Sequence, residues 1–160
     1  MTAQTVYTKP LAQGLPGLLY DMGNTDIDSF ASEGEVPFGA FCARGTDKEN
    51  QVVVGTAAAI GVATRTAQEQ PFAPAGAFAG DKYNDEETVG VLRSGYIWAI
   101  FDAVGGTVGA AVTINAGGEV VAAGGGTALT AVKAVIEKPA TDASIHTSGV
   151  FVGVVQVFPI

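Results

Sequence analysis

The side chains best suited to chemistry in this sequence are few and far apart. His146 is the only histidine, set in the polar stretch Thr141-Asp142-Ala143-Ser144-Ile145-His146-Thr147-Ser148-Gly149. In a triad an imidazole passes a proton between a nucleophile and an orienting carboxylate. Any such triad would have to be assembled around this one loop residue, and a plain surface histidine is the expectation. Cys42 is the only cysteine, so neither an intrachain disulfide nor a cysteine-built zinc cage can form, which fits a reducing compartment. If Phe38-Gly39-Ala40-Phe41-Cys42-Ala43 is a strand, its side chains alternate, and Arg44 is the one basic neighbour on the face of Cys42. A reactive thiolate needs a more positive setting than that, so Cys42 is expected to be a buried small hydrophobe.

The carboxylates cluster in loops. Asp21-Met22-Gly23-Asn24-Thr25-Asp26-Ile27-Asp28 has the density of a calcium loop, but such a loop started at Asp21 needs Gly where Asp26 stands and Glu where Ser32 stands. Asp81-Lys82-Tyr83-Asn84-Asp85-Glu86-Glu87 reads as a solvated loop before a strand at Thr88. No metal site is assigned at either loop, with adventitious divalent binding left open. Gly105-Gly106-Thr107-Val108-Gly109-Ala110 and Gly124-Gly125-Gly126-Thr127-Ala128 are glycine-rich, yet neither ends in Lys-Ser/Thr nor sits between a strand and a long helix. They are hairpin linkers, not phosphate cradles. Asp102, at the end of a strand, is the one carboxylate in an aromatic strand, so there is no acid pair for glycoside hydrolysis. No catalytic residue, cofactor site or metal site is therefore assigned.

The elements that would position any site are strands. From Glu35 onward, short runs rich in Val, Ile, Thr, Phe and Tyr are punctuated by glycine. Strands are expected at 36–43, 51–54, 60–66, 88–93, 96–102, 111–115, 119–122, 131–137 and 150–158. Turn-formers separate them at hairpin spacing, among them Arg44-Gly45-Thr46-Asp47, Arg93-Ser94-Gly95 and Asn115-Ala116-Gly117-Gly118. The fold class is mainly β, a small antiparallel β-barrel or sandwich, with helix at most a turn near 57–59 or 126–134. Residues 1–35 differ: Pro10, Gly14, Pro16, Gly17, Gly23 and Gly34 are mixed with Asp21, Asp26, Asp28, Glu33 and Glu35, and no period of 2 or 3.6 is sustained. They are read as an extended N-terminal arm, with 36–160 as the β-domain. Leu11, Leu15, Leu18, Leu19, Tyr20 and Ile27 make that arm too apolar to hang free, so it should pack on its own barrel or on a neighbour.

Two strands are apolar on both faces, Tyr96-Ile97-Trp98-Ala99-Ile100-Phe101 and Val150-Phe151-Val152-Gly153-Val154-Val155-Gln156-Val157-Phe158. One face can enter the chain's own core; the other calls for a helix, an arm or another subunit. With helix scarce, this favours self-association, and the expected interface is Leu11, Leu15, Leu18, Leu19 and Tyr20 of the arm with Phe151, Val155 and Val157 of the last strand.

Composition narrows the partners. The 160 residues carry 8 Lys and Arg against 16 Asp and Glu, a net charge of −8, which speaks against nucleic acid and anionic membranes. Apolar residues make up 48%, too many for a disordered chain, while the apolar runs are too short for a span of about 20 residues. Met1 is followed by Thr-Ala-Gln-Thr-Val-Tyr-Thr, with no basic segment leading into an apolar one, so the protein is expected to stay where it is made.

The runs Glu33-Gly34-Glu35-Val36-Pro37-Phe38-Gly39-Ala40-Phe41-Cys42-Ala43-Arg44-Gly45 and Ile60-Gly61-Val62-Ala63-Thr64-Arg65-Thr66 resemble the opening of small capsid cement, or decoration, proteins of tailed double-stranded DNA bacteriophages. Val91-Leu92-Arg93-Ser94-Gly95-Tyr96-Ile97-Trp98-Ala99 is similar to their strand, glycine turn, strand unit. Gly109-Ala110-Ala111-Val112-Thr113-Ile114-Asn115-Ala116-Gly117-Gly118 and a closing strand at 149–159 continue the likeness. The resemblance spans roughly residues 6 to 160. It implies a β-domain on the capsid exterior that bridges neighbouring major capsid proteins, is made in the host cytoplasm, and meets itself as a trimer in preference to a dimer. It brings no catalytic residues. The competing functions are a small-molecule-binding β-barrel, with Trp98, Tyr96 and Phe101 lining a cavity, and a tail or fibre component of the same particle.

Overall fold

The computed structural model describes residues 14–55, 57–65, 82–142 and 150–160. Among these residues there are eleven strands and no helix: β1 (Leu19–Ser32), β2 (Val36–Pro37), β3 (Phe41–Arg44), β4 (Gln51–Val54), β5 (Ala59–Ala63), β6 (Lys82–Tyr83), β7 (Thr88–Phe101), β8 (Thr113–Ile114), β9 (Thr127–Ala128), β10 (Val132–Asp142) and β11 (Phe151–Pro159). Seven of them form one sheet in the order β1-β4-β3-β5-β7-β11-β10, and β1 pairs a second time, with β7. The pairings thus run in a circuit, β1–β4–β3–β5–β7–β1. All are antiparallel except β1–β4, which is parallel and joins only Ala31 to Gln51 and Ser32 to Val52. The sheet curls back on itself at this short seam without closing into a regular barrel.

The curl has an apolar filling on each side. Inside the circuit lie Phe30, Cys42, Val52, Ala63, Val89 and Val91, one or two from each of its five strands, with Val36, Phe38 and Tyr83 added from the connections. Phe38 and Tyr83 meet edge to face at 4.8 Å, and the Tyr83 hydroxyl donates to the Thr64 carbonyl at 2.6 Å, so the one polar tip in this cluster is satisfied. On the other side, Phe41, Val62, Leu92, Ile97, Ala99 and Phe101 pack with Val155 and Val157 of β11 and with Ala134 and Ile136 of β10. Alternation along β3, β5 and β7 explains why these central strands are apolar on both faces.

What covers the second face is the chain itself. Val112, Ile114 and Val120, from the long connection between β7 and β10, enter the larger cluster. Two-sided burial of β7 and β11 therefore does not require a second subunit. The same connection runs along β10: Gly105, Gly109, Ala110 and Val112 exchange five main-chain hydrogen bonds with Ala134, Ile136 and Ala140, at 2.7–3.0 Å.

Three sequence expectations change. The described part of the supposed arm, 14–35, is not separate from the domain, because β1 is a full member of the sheet and places Phe30 inside the circuit. Its period of 2 is hidden because β1 slips register between Asp21 and Asp26 and exposes much of one side. Arg93-Ser94-Gly95 is not a turn: β7 continues through it with a bulge, Asp26 of β1 lying opposite Ser94 and the next residue, Ile27, opposite Leu92, while Val157 of β11 lies opposite Gly95. The strand expected at 119–122 reduces to isolated bridges of Val120 to Phe101 and Ile114. The turn at 44–47 does join antiparallel strands, and β4 falls at 51–54 as expected.

Candidate functional site

Cys42 lies in the inner cluster with no solvent contact, its sulfur 3.5 Å from the Ala40 carbonyl. Burial pushes its thiol from the ordinary 9.0 up to about 12. Desolvation penalises the anion there, so Cys42 is a packing residue. Arg44 does not approach it as an activating charge; its guanidinium stacks over the Phe30 ring at 4.4 Å. His146 lies outside the described residues.

The first acidic run lies in β1 and not in a loop, and several carboxylates of both runs already have partners within the chain. Asp21 accepts from the Gly23 amide at 2.9 Å, and Asp28 pairs with Arg93 at 2.9 Å. Asp85 accepts from the Gly34 amide at 2.7 Å, while Glu87 takes the Asn84 amide and side chain at 2.6 and 2.8 Å. Hydrogen bonds from Asn84 hold the Glu87 carboxyl below its ordinary value. Among the described residues no three acidic, cysteine or histidine side chains gather as metal ligands.

Tyr96, Trp98 and Phe101 do not line one cavity, because β7 alternates. Phe101 points into the larger core, whereas Trp98 packs on the opposite face with Ala40, Ile100 and Val152. Tyr96 instead borders an open hollow of about 540 Å³ shared with Asp21, Asn24, Ser94, Gln156 and Phe158.

The surface on the Trp98 side is the distinctive one. The chain enters it at Gly14, so close to the indole that a Cβ would overlap the ring. It is then pinned by Gly17, whose amide donates to the Trp98 carbonyl at 2.8 Å, and by Arg65, whose amide and Nε donate to the carbonyls of Gly17 and Pro16 at 2.7 and 3.1 Å. This anchorage presents Leu18 and Tyr20, 39% and 44% exposed. Tyr20 meets Trp98 edge to face at 5.8 Å, and the Lys138 ammonium sits 4.3 Å from the centre of its ring. Register explains the convergence: Val154 of β11 lies opposite both Trp98 on β7 and Lys138 on β10. Four strands thus build one face, partly apolar and with a fixed aromatic at its centre.

The residues expected at an interface divide accordingly. Leu18 and Tyr20 are exposed on this face; Leu15, Leu19 and Phe151 are half-buried, the last two against the larger core. Val155 and Val157 are buried within the chain, and Leu11 lies outside the described residues. Trp98 and Lys138 were not among the expected interface residues. Alternation through Tyr96-Ile97-Trp98 could have placed Trp98 opposite Ile97, but nothing local links Lys138 to Tyr20.

The family model described as Structural cement protein (E217 gp24/Pam3 gp6) matches residues 3–157. The chain belongs to this phage cement family. No curated protein matches it. It is a structural protein of the phage capsid, in keeping with the resemblance read from the sequence and against a tail or fibre component. The Leu18–Tyr20 face is preformed by strands of the main sheet.

Proposed function

We propose that this cement protein, made in the host cytoplasm, binds the outer surface of the capsid and bridges neighbouring major capsid proteins through the face carrying Leu18, Tyr20, Trp98 and Lys138. The observation that carries this is Tyr20, an aromatic left 44% exposed yet in contact with both the Trp98 indole and the Lys138 ammonium. Tyr loses little conformational freedom on docking, and less still when its ring is already fixed; such residues anchor interfaces. The half-buried Leu15 and Leu19 flank it, and Leu11 lies upstream in sequence. On the same reading, copies meet on the shell, a trimer being preferred to a dimer. Burial of Val155 and Val157 within the chain moves that contact away from the last strand and toward β1.

The test is binding to capsids stripped of their cement protein, with bound copies counted by quantitative gel or particle reconstruction. Tyr20→Ala should weaken binding by about 2 kcal/mol, roughly 30-fold. Leu18→Ala should add to the loss, and both variants should unfold within about 1 kcal/mol of the parent. Undiminished occupancy by the double variant would remove the face from consideration. Light scattering of the free protein and particle reconstruction of the decorated shell report whether copies close as trimers.

A further inference from the structure

The circuit of strands closes at a short parallel seam of two residue pairs between β1 and β4, and beside it a carboxylate crosses from β1 to the neighbouring loop. Glu33, directly after β1, reaches into the β3–β4 loop, where its two oxygens accept the Thr46 amide at 2.5 Å and the Thr46 hydroxyl at 2.6 Å. It can do so because the intervening residue is Gly45, at which a Cβ would overlap Glu33 Oε2. The seam's own bonds lie immediately beside it: Ala31 donates to the Asn50 carbonyl and Glu33 to the Val52 carbonyl, both at 2.7 Å.

We propose that Glu33 is a carboxylate latch, holding the β1–β4 seam shut by gripping Thr46 across Gly45, and that protonating it releases the seam while the rest of the sheet stays folded. Two independent features point the same way, a bidentate grip on a neighbouring loop and a glycine that leaves room for it. The charged group facing Glu33 is Asp85 of the 84–87 loop, whose negative charge opposes its ionisation; hydrogen bonds from Thr46 prevail and hold its carboxyl below the ordinary 4.5. Several other charges at this end are engaged elsewhere, while Lys48 of the β3–β4 loop and Glu86 add exposed charge nearby. Lys82 pairs with Glu35 at 2.6 Å, Glu87 holds Asn84, Asp47 holds Glu49 and Asn50, and Arg44 donates to the Glu49 carbonyl at 3.2 Å. A group whose folded value is depressed stabilises the fold fully above its unfolded value and loses that contribution as pH falls through the folded one. The latch is therefore closed at neutral pH and opens only as pH falls through a folded value that lies below the ordinary 4.5.

Gly45→Ala offers a second way to break it without touching a titratable group. The backbone at Gly45 is outside the left-handed region, so alanine fits its conformation. The neighbour that must move furthest is the free end of Glu33, with Gln51 Cβ, 3.0 Å from the added atom, giving slightly.

The experiment is amide hydrogen exchange by NMR on the full chain, expressed as protection relative to the intrinsic rate, at pH 6 and pH 3. In the parent, Ala31, Glu33 and Thr46 should lose at least tenfold in protection at pH 3 while β7 and β11 amides such as Ile97 and Val155 hold. Glu33→Gln should abolish the seam-specific pH dependence, and Gly45→Ala should show the low seam protection already at pH 6. Seam protection independent of pH in the parent, the same pH-dependent loss in Glu33→Gln, or full protection of Gly45→Ala at pH 6 would each overturn the latch. Should Gly45→Ala lower protection in β7 and β11 as well, the parent titration and Glu33→Gln decide the matter alone.

Discussion

Truncating Phe30 to alanine separates a chain in which residues 19–32 are an arm from one in which they complete the sheet. The Phe30 ring is 7% exposed, inside the circuit with Cys42, Val52, Val89 and Val91, and Arg44 covers it at 4.4 Å. An aromatic side chain buries about 150–250 Å², which at about 25 cal/mol per Å² is roughly 4–6 kcal/mol. Large-to-small core replacements of Phe cost about 3–5 kcal/mol, and loss of the guanidinium stack adds about 0.5–1 kcal/mol. Phe30→Ala should therefore cost roughly 3–5 kcal/mol in urea unfolding, or roughly 6–20 °C in melting temperature for a domain of this size. Ile27→Ala, on the same strand but 42% exposed, should cost about 1 kcal/mol or less. A loss at Phe30 below about 1 kcal/mol, or equal losses at the two sites, would refute β1 as part of the folded core. A companion pair of truncations extends the test. A chain starting at Gly14 keeps β1 and should unfold cooperatively; one starting at Glu33 lacks it and should not.

Three further outcomes are expected. Cys42→Ser should cost on the order of 1–3 kcal/mol, because a hydroxyl replaces a fully buried thiol, and unfolding in urea reads it out. The native Cys42 thiol should resist a disulfide-exchange reagent at pH 8 and react once the protein is denatured, since its value of about 12 leaves almost no thiolate. Stability should hold from neutral pH down to about 4.5 and fall below it, because Glu33, Asp47 and Glu87 all have values lowered by hydrogen bonds from Thr46, Asn50 and Asn84; a melting series against pH checks the sign.

Much of the fold was legible where local pattern and tertiary environment agree. The run Gln51-Val52-Val53-Val54 is a strand in both because β-branched residues suit a pleated surface whichever partner they meet. The two-sided apolar character of 96–101 and 150–158 was also readable, and each is buried on both faces. What covers the second face was not. Val112, Ile114 and Val120 sit in a glycine-rich connection with little regular structure, so no period marks them as core. β1 escaped notice because Asp21, Gly23, Asn24 and Asp26 are poor strand formers, placed there by pairing with β7 and not by propensity. Ser94-Gly95 has the chemistry of a turn, and flanking strands, set by residues far away in sequence, reduce it to a bulge within β7. For the site, the exposure of Leu18 and Tyr20 followed from their apolar character in a polar neighbourhood, while Lys138 over the Tyr20 ring depends on three strand registers at once.

The stretch 105–112 that fastens onto β10 has a consequence for crowding. An uncovered edge of eleven residues would offer its amides and carbonyls to any passing strand, and a protein concentrated in many copies on one particle is where such templating runs away into fibres. Here five of those main-chain bonds are already made from within the chain, and Pro139 contributes no amide to the strand at all. That flank is closed to strand-by-strand addition. Any contact another chain makes along this flank is left to side chains, whose shape and charge choose the partner in a way that bare main-chain pairing does not.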